Sequence, residues 1–445
     1  MRRPAIAEPQ PWLFPSPEKS TLSSGLELAF IQVPGQALAS VELVLPTPLE
    51  AEPRNLEGIA NVVLHACDEA TVTIPDIVER LELQGAALSG HAAWGYTRLG
   101  LSAPARRLPQ VLELFASVIR EPAFDDPDVA HHIENQVAAW KTRRASPSAM
   151  TRDSLRASLF GMNQREGRPI TGTPETLAAI TRKAVQDWHA RTWVPEGATL
   201  IIAGDLVENR EDDLTASFGA WSGSRSPAPA PQGVPGQPGI VLVDLPQAAQ
   251  TVVQAFIPTP GREHSDWTAL KLGGHAMCGA FASRLNLELR ERLGYTYGIS
   301  GGVSPRRGGG ALNIETALSN ESAADATARL LDALALETPF SDNEILDAAH
   351  YLVQVSPLHY ETAADITAQT AALTAAGLDT GFVNRHQAAL STTTTGQVNT
   401  AWRTHIRPDN TTIAIGGPAA LLAPRLQAVG IDAQVLAGPT DEDDA

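Results

Sequence analysis

The sequence predicts an α+β protein built from two homologous halves, and three observations predict it. The same order of strand-type runs and amphipathic helices occurs twice along the chain, weakly in residue identity but recognisably in arrangement. Between the two copies lies SRSPAPAPQGVPGQPG, residues 224–239, rich in Pro, Gly and Ala, which reads as an extended tether. At 445 residues the chain is also too long for a single core. The expected organisation is an N-terminal half over 1–223, a linker over 224–239 and a C-terminal half over 240–445, each half an antiparallel sheet packed with helices.

The first half opens with two alternating runs, GLELAFIQV at 25–33 and ASVELVL at 39–45, which read as paired strands. A helix over 56–70 follows, then an amphipathic helix over 74–85 ending at a glycine, strands at 86–91 and 96–102, and a helix over 108–120. Further helices are expected over 127–143, 149–160, 174–193 and 212–221, with a strand at 198–204. In the second half, strands at 240–244 and 251–257 lead into a long helix over 265–292. Strands at 297–303 and 311–316, helices at 322–335, 342–355 and 363–376, a strand at 411–415 and a helix over 419–429 complete it. Gly301, Gly302 and Gly308 to Gly310 are expected to punctuate the hairpin. The acidic tail DEDDA is expected to lack fixed structure.

Composition narrows the function classes. With 43% apolar and 19% charged residues the chain has an ordinary globular balance, and its net charge of −17 argues against nucleic acid. Only Cys67 and Cys278 are present, too few for a disulfide framework, which suits a reducing cytoplasmic setting. The opening MRRPAIAEPQPW lacks the apolar segment of a secretory signal, and no run long enough to span a membrane occurs.

Chemistry concentrates in RLNLELRERLGYTYGISGGV, residues 284–303. A helix delivers Arg290 near its C-terminal end, the chain turns after Gly294, and a β-type run is expected to carry Tyr297. A guanidinium and a phenol seven residues apart across such a corner can converge as donors on a peptide carbonyl and the oxyanion that develops on it. Neither is a nucleophile.

The segment ASRLNLELRERLGYTYGISGG resembles the second-half signature of the pitrilysin/insulinase metallopeptidases, the inverzincins. That resemblance implies that Arg290 and Tyr297 stabilise substrate and transition state opposite a zinc site, with Tyr295 as the alternative tyrosine and Arg284 structural. It also implies that the 56–70 helix should carry H-x-x-E-H, two zinc ligands and a general base on one face. Aligned on Gly58, Ala60 and Thr71, those positions read Asn61, Leu64 and His65, and the third ligand position falls at or near Lys141. One surviving histidine does not hold zinc, so the N-half site is degenerate and the chain is expected to bind none. His65 reads as a core histidine, Cys67 as a buried small hydrophobe, and His131 and His132 with Glu134 as a solvated face; a repurposed site of His65, Cys67 and Asp68 is the less favoured reading.

The resemblance then implies a zinc-less subunit of a two-chain zinc metallopeptidase. A homologous partner supplies zinc and general base, this chain supplies Arg290 and Tyr297, the substrate is a peptide, and the isolated chain is inactive. The alternative is a non-catalytic scaffold or peptide-binding homologue. Retention of the Arg/Tyr pair beside a lost zinc half separates the two, since a pure scaffold has no chemical need of the pair.

Overall fold

The computed structural model describes residues 12–206, 210–225 and 235–438. Most of the tether and the acidic tail therefore lie outside the described residues, as does almost all of the opening segment. The first half runs β1 (Glu18–Thr21), β2 (Glu27–Gln32), β3 (Leu38–Leu45), α1 (Ile59–Ala66), α2 (Ile77–Leu83), β4 (Ala87–Ala92), β5 (Thr97–Pro104) and α3 (Leu108–Arg120). It continues with α4 (Asp126–Arg144), α5 (Pro147–Phe160), α6 (Pro174–Ala178), α7 (Arg182–Thr192), β6 (Thr199–Gly204) and α8 (Arg210–Phe218). The second half has β7 (Ile240–Asp244), β8 (Thr251–Thr259), α9 (Trp267–Gly274), β9 (Ile299–Arg306), β10 (Gly309–Leu318), α10 (Ala323–Ala335) and α11 (Asp342–Val355). After these come α12 (Ala363–Thr374), α13 (Gly381–Thr392), α14 (Thr395–His405), β11 (Thr412–Gly417), α15 (Ala419–Ala428) and β12 (Gln434–Leu436).

Two six-stranded sheets result, ordered β1-β2-β6-β3-β5-β4 and β12-β7-β11-β8-β10-β9. Five strands of one sheet correspond one for one with five of the other, so the repeat expected from the sequence is real at the level of topology. The outermost strand differs: β1 comes from before its sheet and runs antiparallel to β2, whereas β12 comes from after its sheet and runs parallel to β7. Contrary to expectation, β2 and β3 are not neighbours, because β6 inserts between them, parallel to β2 and antiparallel to β3. Both sheets are thus mixed rather than purely antiparallel.

Strands β6 and β11 are buried along their whole length, which requires cover on both faces. One face of each sheet packs on helices of its own half. The other is covered by a helix of the opposite half. Ala363, Ile366, Ala371 and Leu373 of α12 pack on Ile31, Val44, Ile201 and Ala203 of the first sheet. Leu155, Leu159 and Phe160 of α5 pack on Val241, Phe256 and Ala414 of the second. The approach of α5 is close enough that a Cβ at Gly416 would stand 2.0 Å from Thr151 Oγ1, so only glycine fits there. Buried Ser40 and Thr367 share a 2.8 Å hydrogen bond, and the pairs Arg306–Glu166 (2.9 Å) and Arg307–Glu50 (2.7 Å) also join the halves.

The expected single helix over 265–292 is broken. After α9 the chain makes a π-helical turn at His275–Gly279, goes extended at Ala280, and resumes as a π-helical segment over Asn286–Arg292. Buried Asn286 bridges the break: its Nδ2 donates to the carbonyls of Ala280 and Ile299, at 3.1 and 2.9 Å, and its Oδ1 accepts from Ile299 N at 2.9 Å. Backbone groups freed by the break therefore find a side-chain partner. Likewise the expected helix over 174–193 splits into α6 and α7, with Thr181 capping the second piece through Ala184 N. Gly301 and Gly302 lie inside β9, and the hairpin turn is Arg307 and Gly308, the latter at φ +78°.

On α7, His189 places Nε2 2.9 Å from the Ile119 carbonyl and packs between Phe124 and Trp193. Burial lowers its pKa from 6.5 to about 4, so the folded state resists protonating it. The stabilisation from this neutral imidazole is complete above pH 6.5 and is lost as pH falls towards 4, about 3 kcal/mol in all. His189→Phe is expected to flatten the acid limb of a stability-versus-pH curve measured by urea unfolding, and an unchanged limb would refute the assignment.

Candidate functional site

In the first half the question is what stands at the expected metal positions. Helix α1 begins after Gly58, at φ +99°, where a side chain would strike the Thr171 carbonyl 2.4 Å away. Glu52 fixes this start, its Oε1 accepting from Gly58 N at 3.2 Å and Ala60 N at 3.1 Å. Asn61 then projects from the first turn and donates through Nδ2 to Gln136 Oε1 of α4, at 2.7 Å. Gln136 Nε2 donates in turn to the carbonyls of Thr171 and Gly58, at 2.6 and 3.2 Å. The α4 residue facing Asn61 is thus Gln136, five positions before Lys141, which is exposed in the last turn of the helix.

Leu64 is 2% exposed and packs against edge strand β4, where a Cβ at Gly90 would come within 2.6 Å of Leu64 Cγ. His65, expected in the core, is instead exposed, because Val62, Val63, Leu64 and Ala66 take the buried side of α1. Its ring lies 6.3 Å from that of His132, and partial burial together with His132 depresses its pKa. His132 itself is bound to Glu69 at 2.7 Å. Cys67 is fully buried with its Sγ on the Leu64 carbonyl, and burial pushes its thiol far up. At the positions that the resemblance assigns to the first ligand, the general base and the third ligand stand the amide of Asn61, held by Gln136, the packed Leu64 and the exposed Lys141, which leaves His65 as the one imidazole. The donor set does not fit the metal.

In the second half Arg290 lies in the last turn of the π-helical segment. Its guanidinium carbon sits 3.9 Å over the ring of Phe281, which is 73% exposed, and its Nε is 3.5 Å from Glu291 Oε1. Gly294, at φ +67°, reverses the chain. Tyr297 follows in the turn before β9, not within a strand as expected, and is 94% exposed. Among the described residues no hydrogen bond or ring contact joins Arg290 to Tyr297. Tyr295 is differently placed, packed on the second core with its hydroxyl donating to Asp325 Oδ2 of α10 at 3.0 Å. Arg284 clamps Glu344 and the carbonyls of Thr338 and Pro339, a structural role.

Between the halves lies a cavity of about 1070 Å³. The Trp94–Tyr96 turn, α5, the second sheet and Arg262, Glu263 and His264 line it, whereas Arg290 and Tyr297 do not.

Comparison with known proteins settles the kinship. Residues 28–173 match the family described as Insulinase (Peptidase family M16), and residues 179–352 match its Peptidase M16 inactive domain. The chain belongs to the insulinase (M16) family. Among curated relatives, an uncharacterized zinc protease of Mycobacterium tuberculosis is 29% identical over 350 residues, 75% of this M16 chain and 78% of its own. One from Mycobacterium leprae is 27% identical over 311 residues, 67% and 68% of the two chains. Of solved structures, a peptidase M16 inactive domain from Pseudomonas fluorescens superposes with TM-score 0.82 at 22% identity, covering 90% of this chain and 98% of that one. A chain of Complex III2 from Candida albicans superposes with TM-score 0.77 at 12% identity, covering 94% and 100%. These likenesses establish a shared M16 fold, while the Asn61–Gln136 pair and Leu64 set this chain apart from the metal-binding pattern of the resemblance.

Proposed function

We propose that this chain is the zinc-less subunit of a two-chain M16 metalloendopeptidase that hydrolyses peptides, inactive alone and completed by a homologous zinc-bearing subunit. The observation that carries the reading is the contrast between the halves. The N-half positions are closed by the Asn61–Gln136 hydrogen bond and the packing of Leu64, whereas Tyr297 stands open to solvent beside a segment that presents Arg290. Zinc in the partner would polarise the scissile carbonyl and activate the attacking water. Arg290 and Tyr297 would donate hydrogen bonds to the substrate carbonyl and to the oxyanion, holding charge that develops only in the transition state. Their mutual separation in the free chain accords with a pair that closes on substrate in the assembled enzyme. We place the protein in the cytoplasm, on its two buried free thiols Cys67 and Cys278. Among the described residues no helix is long and apolar enough to cross a membrane.

The second reading is a non-catalytic peptide-binding scaffold, favoured by the closed N-half site. Recovery of the native chain from its own cells with identification of its companions by mass separates the two. A homologue with an intact H-x-x-E-H in equal amount is the expected result. Recovery of the chain alone, or with unrelated subunits, would hand the case to the scaffold.

A further inference from the structure

We propose a divalent-cation site in the second half, formed by His264, Asp266 and His405 and suited to zinc; it is separate from the closed N-half position, so the zinc-less reading above concerns that catalytic position alone. His405 Nε2 lies 2.8 Å from Asp266 Oδ2, and His264 Nδ1 lies 3.9 Å from the same oxygen. One ligand atom from each residue falls within 4.8 Å of the other two. In a tetrahedral zinc site with bonds of about 2.0–2.1 Å, adjacent ligand atoms stand roughly 3.3–3.5 Å apart. The observed separations bracket that value, so small side-chain rotations bring all three onto one ion. The imidazole rings meet at 87° with centroids 5.4 Å apart, so they approach the common point from different directions.

Two local features argue that the cluster is more than a surface ion pair. Asp266 occupies the N-cap position of α9, where an aspartate ordinarily accepts from the first helical N–H groups, yet its side chain makes no such bond and is turned to His405. His264 Nδ1 accepts from Asp266 N at 3.1 Å, so at this nitrogen the ring presents a lone pair rather than a proton. A metal would take over this lone pair. Two imidazoles and one carboxylate are a donor set for zinc or a neighbouring transition metal rather than for calcium or magnesium. Three protein ligands leave a fourth position for water, and His264 also lines the cavity between the halves.

The test is titration of the untagged, full-length chain with cobalt(II) and zinc chloride. One saturable equivalent, with the visible absorption of four-coordinate cobalt displaced by zinc, is the expected result. His264→Ala and His405→Ala should each weaken binding at least about 10-fold, whereas His65→Ala should leave it unchanged. His405→Gln retains a donor to Asp266 and separates ligation from folding: it should lose metal affinity while keeping the parental unfolding midpoint. Absence of saturable binding would overturn the site, as would binding that survives in both histidine variants or disappears with His65→Ala. None of these outcomes depends on the proposed peptidase role, since no partner or substrate is present.

Discussion

Arg290→Ala, introduced into this chain and assayed in the proposed two-subunit enzyme after reconstitution, is expected to lower kcat about 100-fold or more while the subunits still co-elute; Tyr297→Phe is expected to do the same. A hydrogen-bond donor aimed at a developing oxyanion contributes about 2.7–4 kcal/mol to the transition state, because it acts where water is excluded and charge has just appeared. The loss should therefore fall on kcat rather than on KM. In the free chain Arg290 rests on the Phe281 ring and Tyr297 on nothing but solvent, so neither substitution removes a core contact. Tyr295→Phe is the control: it deletes the bond to Asp325 and should cost some stability without a comparable rate effect. Full activity in both Arg290→Ala and Tyr297→Phe would end the assignment.

The second large effect is on stability. Arg165, with 3% of its side chain exposed, donates through Nε and Nη2 to Glu52 Oε2 at 3.0 and 2.7 Å, and further to the carbonyls of Pro169 and Ile170, each at 2.9 Å. Glu52, whose side chain is fully buried, spends its other oxygen on the first N–H groups of α1. Arg165→Met would strand a carboxylate in the interior and remove the donor to the Ile170 carbonyl, and such a loss costs about 3–5 kcal/mol. Urea unfolding should reveal it directly. A change below about 1 kcal/mol would mean that the carboxyl takes up a proton or water at little cost. The double variant Glu52→Gln with Arg165→Met should recover part of the loss, since no buried charge is then left alone.

Much of this architecture was legible in the sequence because apolar periodicity reports burial. Helices α3 and α11 fall at their expected limits, and the twofold repeat emerges as two sheets of matching order. What was not legible lacks that signal. Strands β1 and β12 are edge strands whose residues are nearly all exposed or half-buried, so pairing alone defines them. Helices α13 and α14 bury only a few side chains each, which leaves little apolar periodicity to mark them. The break after α9 depends on Asn286 reaching both the Ala280 and the Ile299 carbonyls, a contact that helical spacing does not express. At the degenerate site, Asn61 and Leu64 were visible as departures from a motif, but their consequence rests on Gln136, 75 residues away. Its pairing with Asn61 could have been sought as an amide at the helix face opposite a lost ligand. Tyr297 was expected in a strand because its flanking residues favour one; the hydrogen bonds of Asn286 start β9 two residues later instead.

The exchange of α5 and α12 between the halves also sets a timetable for synthesis. The first sheet has all its strands once Gly204 has left the ribosome, but the helix that covers its second face begins at Ala363, about 160 residues later. At about 5–20 residues per second that interval is roughly 8–32 s. Throughout it Ile31, Val44, Ile201 and Ala203 stand uncovered on a nascent chain. One face of the N-terminal sheet therefore stays uncovered during translation until its sister's helix arrives.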